Sequence, residues 1–241
     1  ISGHFEKARC PFPSCFLFAF VWQRKKMQSS VSILQHNKVV WGSGMGSEAL
    51  SSHQILLLLL FPGEQVTLDP RTAHPMLVLS QDKSSVRWES KWQHVPKAPE
   101  RFDTSCCVLG REEFREGRHY WEVEVEGEKG KYSSLAVGVA RASVKRKGEI
   151  NMSPEEGIWA VQYNEGQLTS LTSPPTPLSL SPVPTRIWVC LDCTQGQVSF
   201  INADNGVEIY TFKEASFNGE SIRPWFWLGT NAQLCLRGGT L

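Results

Sequence analysis

From about Gln65 onward the sequence predicts an all-β domain. Three observations carry that prediction: apolar residues recur with a period close to two, turn residues punctuate the chain at short intervals, and long amphipathic helical stretches are missing. The clearest segment is 118–126. There Trp121, Val123 and Val125 fall on one side and Glu122, Glu124 and Glu126 on the other, so one face meets a core and the other meets solvent. Before it, residues 76–79, 85–88 and 106–109 are short runs that fit half-buried strands. After it the expected strands are 135–140, 158–164, 186–192, 197–202, 208–212, 223–227 and 233–236. In 158–164, alternation sets Ala160, Gln162 and Asn164 opposite Trp159, Val161 and Tyr163. Glu116-Gly117, Asn164-Glu-Gly166, Thr194-Gln-Gly196 and Asp204-Asn-Gly206 supply turns between strands, and many short strands at this spacing imply a sandwich or barrel. Residues 174–184 hold five prolines in eleven positions, too many for a central strand, and read as an extended loop crossing between sheets. A proline-motif ligand is the weaker alternative, since the run lies between two core strands.

Composition narrows the function. The 241 residues are 41% hydrophobic and 20% charged, which excludes disorder throughout, and a net charge of +1 argues against a dedicated nucleic-acid binder. Charge is unevenly placed. Residues 1–63 carry six Lys/Arg against two Asp/Glu, and residues 64–241 carry 19 against 22. The chain therefore divides into an N-terminal segment, 1–64, and a domain, 65–238. In the segment, the apolar runs 15–22 and 55–61 are both far short of the roughly 20 residues a spanning helix needs. The first is followed by Arg24, Lys25 and Lys26, as at the cytoplasmic end of a truncated transmembrane helix, while a signal peptide would carry its positive charges ahead of the apolar run. That truncated anchor is the one membrane connection the sequence suggests; a poorly structured segment is the alternative.

Seven widely and irregularly spaced cysteines do not form the even framework of a small secreted domain, so a reducing compartment is expected. Cys190 and Cys193 make a C-x-x-C, but three positions apart on a strand they point to opposite faces and cannot share a metal. Cys10 and Cys15 have no second pair at zinc-finger spacing. Gly42-Ser-Gly-Met-Gly46 matches neither a dinucleotide fingerprint nor a Lys-ended phosphate loop, and is expected to be flexible linker. The sequon at Asn151 is a chance match. None of His74, His94 and His119 has a nucleophile elbow beside it, and His119 is expected to be a hydrogen-bonded structural residue. Asp103, Glu112 and Glu113, like Lys145-Arg-Lys147, read as solvated loop charge. No constellation supports catalysis, and no cofactor or metal is expected.

A set of ordered motifs is more specific. Leu68-Asp-Pro70, Thr72-Ala-His-Pro75 and Leu77-Val-Leu-Ser80 resemble a PRY segment. Glu100-Arg-Phe102, Val108-Leu-Gly110, Gly117-Arg-His-Tyr-Trp-Glu-Val-Glu-Val125, Arg146-Lys-Gly148, Ser153-Pro-Glu155, Leu191-Asp192, Val198-Ser-Phe200 and Ile222-Arg-Pro224 resemble an SPRY core. The resemblance covers about residues 65–238. It implies a PRY-SPRY domain like those that end butyrophilins and tripartite-motif proteins: a bent, concanavalin-like jelly-roll sandwich of two antiparallel sheets, without catalytic activity, that binds other molecules through loops around one concave sheet face. Cys193 and Thr194 depart from the family's usual aromatic and acidic residues, which should alter local packing more than fold.

The candidate binding set is Ser105, Ala136, Asn151, Gln162, Asn164, Thr169, Trp227 and Asn231, with Trp227 as anchor because buried aromatic side chains dominate interface energy. The antibody-binding tripartite-motif protein has tryptophans where Gln162 and Asn164 stand, so that ligand is not expected. Phosphoantigen-sensing butyrophilins have basic residues or His where Ser105, Ala136, Asn151 and Thr169 stand; four neutral residues here argue against a phosphoantigen. The expectation is a non-enzymatic module binding protein ligands, on the cytosolic side of a butyrophilin-like, immune-regulatory receptor or free in the cytoplasm. One alternative is the substrate-recognition end of a tripartite-motif ubiquitin ligase, although residues 1–64 spell neither its zinc modules nor its coiled coil. A glycan-binding lectin, by sandwich analogy, is the other.

Overall fold

The computed structural model describes residues 61–126 and 134–238. Through them run β1 (Leu77–Leu79), β2 (Ser85–Trp88), β3 (Cys107–Leu109), β4 (Arg118–Glu126), β5 (Leu135–Arg141), β6 (Ile158–Asn164), β7 (Gln167–Ser170), β8 (Thr176–Leu178), β9 (Arg186–Asp192), β10 (Gln197–Asn202), β11 (Glu208–Phe212), β12 (Ile222–Leu228) and β13 (Gln233–Arg237). They build a seven-stranded sheet, ordered β1-β2-β13-β4-β9-β10-β11, and a six-stranded sheet, ordered β3-β12-β5-β6-β7-β8. Neighbouring strands in both pair antiparallel. The 3-10 turn Pro154–Glu156, closed by Gly157 at positive φ, is the one helical element among the described residues.

Each strand the alternation predicts is present, with bounds shifted by a residue at most. The structure adds β7 and β8. The proline-rich run is therefore not loop throughout: Thr176–Leu178 pairs with β7 at the edge of the smaller sheet, where the missing N–H of Pro177 faces no further strand. The crossing to the larger sheet follows it, before β9. The apolar run 15–22, the basic residues at 24–26, Cys10, Cys15 and the glycine-rich run at 42–46 lie outside the described residues.

Alternation decides what is buried. Trp121 and Val123 of β4, Val189 and Leu191 of β9 and Phe200 of β10 meet Val137 and Val139 of β5, Trp159 and Val161 of β6 and Phe226 of β12 in the core between the sheets, with Val125 packed at its margin. Glu122 and Glu124 face outward and are paired: Glu122 takes Arg186 Nε at 3.0 Å and Trp188 Nε1 at 2.9 Å, and Glu124 takes Arg237 Nε at 2.8 Å. Cys190 and Cys193 fall on opposite sides, the first beside Tyr120 and Trp188 on the outer face and the second against the main core.

The smaller sheet has a second apolar layer on its outer face. Ala136, Ala140, Ile158, Ala160 and Trp225 form its floor, and Phe102 and Val144 cover part of it. Small residues are required here. Gly138 sits between Trp225 and Ala160 across the strands, and a Cβ on it would lie 2.6 Å from the Cα of Ala160 and against the backbone oxygen of Trp159.

A buried charge pair joins the early and late parts of the domain. From β12, Arg223 donates to the backbone oxygen of Gly110 through Nε at 2.9 Å and to Asp69 Oδ2 through Nη2 at 3.1 Å. Asp69 also accepts Arg71 Nε at 3.1 Å. Burial alone would raise the Asp69 carboxyl, but the hydrogen bonds from Arg71 and Arg223 outweigh it and hold the group below the ordinary carboxylate range.

Candidate interaction surface

Strand register, which no single strand reveals, brings half of the predicted binding set into one line. Across the outer face of the smaller sheet, Cys107 pairs with Trp227, Trp227 with Ala136, Ala136 with Gln162, Gln162 with Thr169 and Thr169 with Pro177. Directly opposed residues stand about 5 Å apart, so the row runs unbroken across the sheet. Ala136 is fully buried, so it shapes the floor while Trp227, Gln162 and Thr169, all half-buried, present their side chains above it. Trp227 packs one side against the second apolar layer and keeps part of its ring accessible.

Loops at one end of this sheet add three more. Asn164 is exposed at the end of β6, Ser105 lies two residues before Cys107, and Asn231, at φ 60°, occupies the turn from β12 to β13. Asn151 stands apart. It is exposed on the long loop from β5 to β6, with Nδ2 3.4 Å from Ser153 Oγ, and the same loop lays Ile150 and Met152 against the outer apolar layer. The row is neutral, with the polar side chains of Gln162 and Thr169 beside one aromatic ring, an arrangement suited to hydrogen bonding with backbone and amide groups rather than to holding an ion.

Two participants escaped sequence reasoning. Ser134, where the chain enters β5, takes Gln162 Nε2 at 3.4 Å and donates to the Tyr163 oxygen at 3.2 Å, so it orients the central residue of the row. Trp92 is 56% exposed, unusual for so large an apolar side chain. It meets the His74 ring edge-on at 5.4 Å, and His74 Nδ1 lies 3.5 Å from Cys106 Sγ, next to Ser105. The available signal for Trp92 was a tryptophan outside any alternating run, flanked by Lys91, Gln93 and His94.

His74 itself is a positioning residue. Its Nδ1 accepts the Met76 N–H at 3.2 Å and its Nε2 faces the Asp103 oxygen at 3.2 Å, which fixes Nε2 as the protonated nitrogen. Burial pushes its pKa down, against smaller opposing effects from Asp103. A base whose folded pKa lies below its unfolded value of about 6.5 resists protonation, so stability should decline as pH falls through about 6.5 and level off below the folded value. An NMR titration is expected to place the His74 ring below 6.5; a midpoint at or above that would remove the argument.

Of the charges expected to be solvated, Asp103, Glu113, Lys145 and Lys147 are exposed as expected and Glu112 and Arg146 are half-buried, and most of them also hold hydrogen bonds. Arg146 donates to the oxygens of Val144, Glu100 and Ala142, and Lys147 to those of Ala98 and Arg101. Glu112 accepts Thr67 N–H and Oγ1, Asp103 accepts Gly148 N–H, and Glu113 accepts Ser221 Oγ. Sequence gives the charge of a loop residue but not the orphan backbone groups it caps. His119 is structural as expected, its two ring nitrogens each 2.8 Å from an oxygen of Glu64 or Glu116.

Comparison with known proteins agrees with this architecture. The SPRY domain family model matches residues 118–239 and the SPRY-associated domain model, PRY, matches residues 66–114. Bovine (Bos taurus) butyrophilin subfamily 1 member A1 is 49% identical over 163 residues, 68% of this chain and 30% of that protein. The E3 ubiquitin-protein ligase TRIM58 of Mus musculus is 45% identical over 172 residues, 71% of this chain and 32% of that protein. This chain thus spans about a third of the length of the curated relatives it matches. Among solved structures, the TRIM65 PSpry domain superposes with a TM-score of 0.65 at 22% identity, over 81% of this chain and 99% of that one, which speaks to the fold alone. The ordered motifs, the two-sheet sandwich and these matches together show that the chain belongs to the SPRY domain family, with its PRY segment directly ahead of the SPRY core.

Proposed function

We propose that the chain is a non-catalytic interaction module that docks a protein ligand on the outer face of its smaller sheet, at the cytosolic end of a butyrophilin-like, immune-regulatory receptor. The observation that carries this reading is the neutral cross-strand row Trp227, Ala136, Gln162 and Thr169, with loop residues gathered at one end of the sheet and the exposed Trp92 against His74. Aromatic anchors in partly desolvated surroundings dominate interface energy. The neutral row favours a partner that offers backbone and amide groups, and disfavours a phosphoantigen or a nucleic acid, whose phosphates call for charge-assisted donors.

A second reading has direct support in the 45% identity to a tripartite-motif ubiquitin ligase: the same face as that ligase's substrate-selecting end. An autoubiquitination assay separates catalysis from binding, since product formed by this chain alone would contradict the module reading. Trp227→Ala is expected to weaken capture of a partner, first identified by affinity purification on the wild-type chain, by roughly 30-fold, the equivalent of about 2 kcal/mol for a hot-spot aromatic. Gln162→Arg should weaken it as well by placing an unpaired charge in the row. Unchanged affinity in both variants would move the site elsewhere.

A further inference from the structure

Between β2 and β3 the chain lays a strap over the surface. Residues 90–100 are exposed except Gln93 and Ala98, which are half-buried. Among the described residues three large apolar side chains are exposed, Trp92, Val95 and Val207, and two of them ride on this strap. It is fastened at several points: Gln93 N–H donates to the Pro75 oxygen at 2.8 Å, Arg101 Nε to the Pro96 oxygen at 3.0 Å and Lys147 Nζ to the Ala98 oxygen at 3.0 Å. The last bond joins it to the loop 142–149, which Gly148 N–H also ties to Asp103 at 2.8 Å. Residues 90–103 and 142–149 together carry six Lys/Arg against three Asp/Glu, so their charge is opposite in sign to that of residues 64–241 as a whole. Arg101 and Arg146 turn their guanidinium groups onto backbone oxygens. Lys91, Lys97 and Lys145 are exposed, and their ammonium groups make no hydrogen bond or ion pair among the described residues.

We propose that this strap docks on an anionic phospholipid membrane, with Trp92 and Val95 entering the headgroup layer and Lys91, Lys97 and Lys145 lying over lipid phosphates and carboxylates. The chemistry selects a lipid surface over an acidic protein. Lysine is a hydrated point charge on a flexible stem, which suits a diffuse field of headgroups. It is depleted at protein interfaces, whose aromatic anchors fill desolvated pockets rather than stand on an open strap. A tryptophan ring, apolar in body and polar at its N–H, settles at the headgroup level. Each lysine near an anionic leaflet strengthens binding about fivefold, an effect that falls off within a Debye length. None of the three lysines belongs to the cross-strand row, so membrane docking and ligand capture can be separated.

A photoreactive benzoyl-phenylalanine at position 95 of the full chain reads the contact locally. With phosphatidylcholine–phosphatidylserine vesicles the expected result is a lipid adduct that disappears on pure phosphatidylcholine and in about 1 M salt, where the Debye length is about 3 Å. The triple variant Lys91→Gln/Lys97→Gln/Lys145→Gln should lower its yield at least about fivefold, while capture of the protein ligand stays within about twofold of wild type. Trp92→Ser should lower the lipid yield as well. No lipid adduct, an equal adduct on pure phosphatidylcholine, a yield indifferent to the triple substitution, or adducts to a second copy or to added poly-glutamate in place of lipid would each overturn the proposal. A triple variant that keeps its lipid yield and loses ligand capture would assign the strap to the protein interface instead.

Discussion

Replacing Arg223 with alanine is expected to destabilise the domain by about 3 kcal/mol, because it removes the buried partner of a hydrogen-bonded ion pair and leaves Asp69 with the solvent-exposed Arg71 as its charged partner. Asp69 would lose a charged donor while staying almost fully buried, and the Gly110 oxygen would lose its guanidinium. Against a total stability of about 5–15 kcal/mol for a domain, such a loss brings unfolding close to working conditions. Arg71 supplies the control: it bonds the same carboxylate, but its side chain is 73% exposed and water can replace it, so Arg71→Ala should cost far less. The pair also fixes an acid limit. The Asp69 carboxyl is depressed in the folded state relative to about 3.9 unfolded, so its contribution is complete above that value and is lost as pH falls through the lower folded one. Urea denaturation of the variants, with wild type followed between pH 6 and pH 2, reads both effects; an Arg223→Ala loss no larger than that of Arg71→Ala would refute the assignment.

Trp225→Ala should have an effect of similar size for a different reason. The ring is fully buried in the outer apolar layer, and large aromatic truncations in packed surroundings cost about 3–5 kcal/mol through lost transfer energy and the cavity left behind. At about 2–4 °C per kcal/mol for a domain of this size, the melting temperature should drop by roughly 6–20 °C. Its neighbour two residues on should behave differently. Trp227 keeps part of its surface in solvent, so its alanine variant should lose more in partner affinity than in thermal stability. A differential scan showing equal losses at both positions would mean that Trp227 is simply core.

What the sequence made legible follows from which interactions are local. β4 is readable because the larger sheet has a core side and an open side, so Val123 and Glu124 must differ. β7 and β8 were unreadable: Gln167–Ser170 is a four-residue strand and Thr176–Leu178 contains a proline, and both are held by pairing partners rather than by their own pattern. The members of the binding set could be named but not arranged. That Gln162 stands opposite Ala136 on one side and Thr169 on the other is a matter of register between strands far apart in sequence. Ser134 and Trp92 lay beyond reach for the same reason, since their roles depend on neighbours that only folding supplies.

The floor of alanines around Gly138 has a consequence for how such a surface changes over generations. With the peptide of Trp159 and the Cα of Ala160 already filling the space a side chain would take, even one added methyl at Gly138 displaces main chain. Variation there is purged as misfolding before it can be tested as a new specificity. Diversification is left to the surrounding turns, which can lengthen, shorten or exchange side chains at little cost, so paralogues built on this plan should share a nearly invariant centre and disagree at its border.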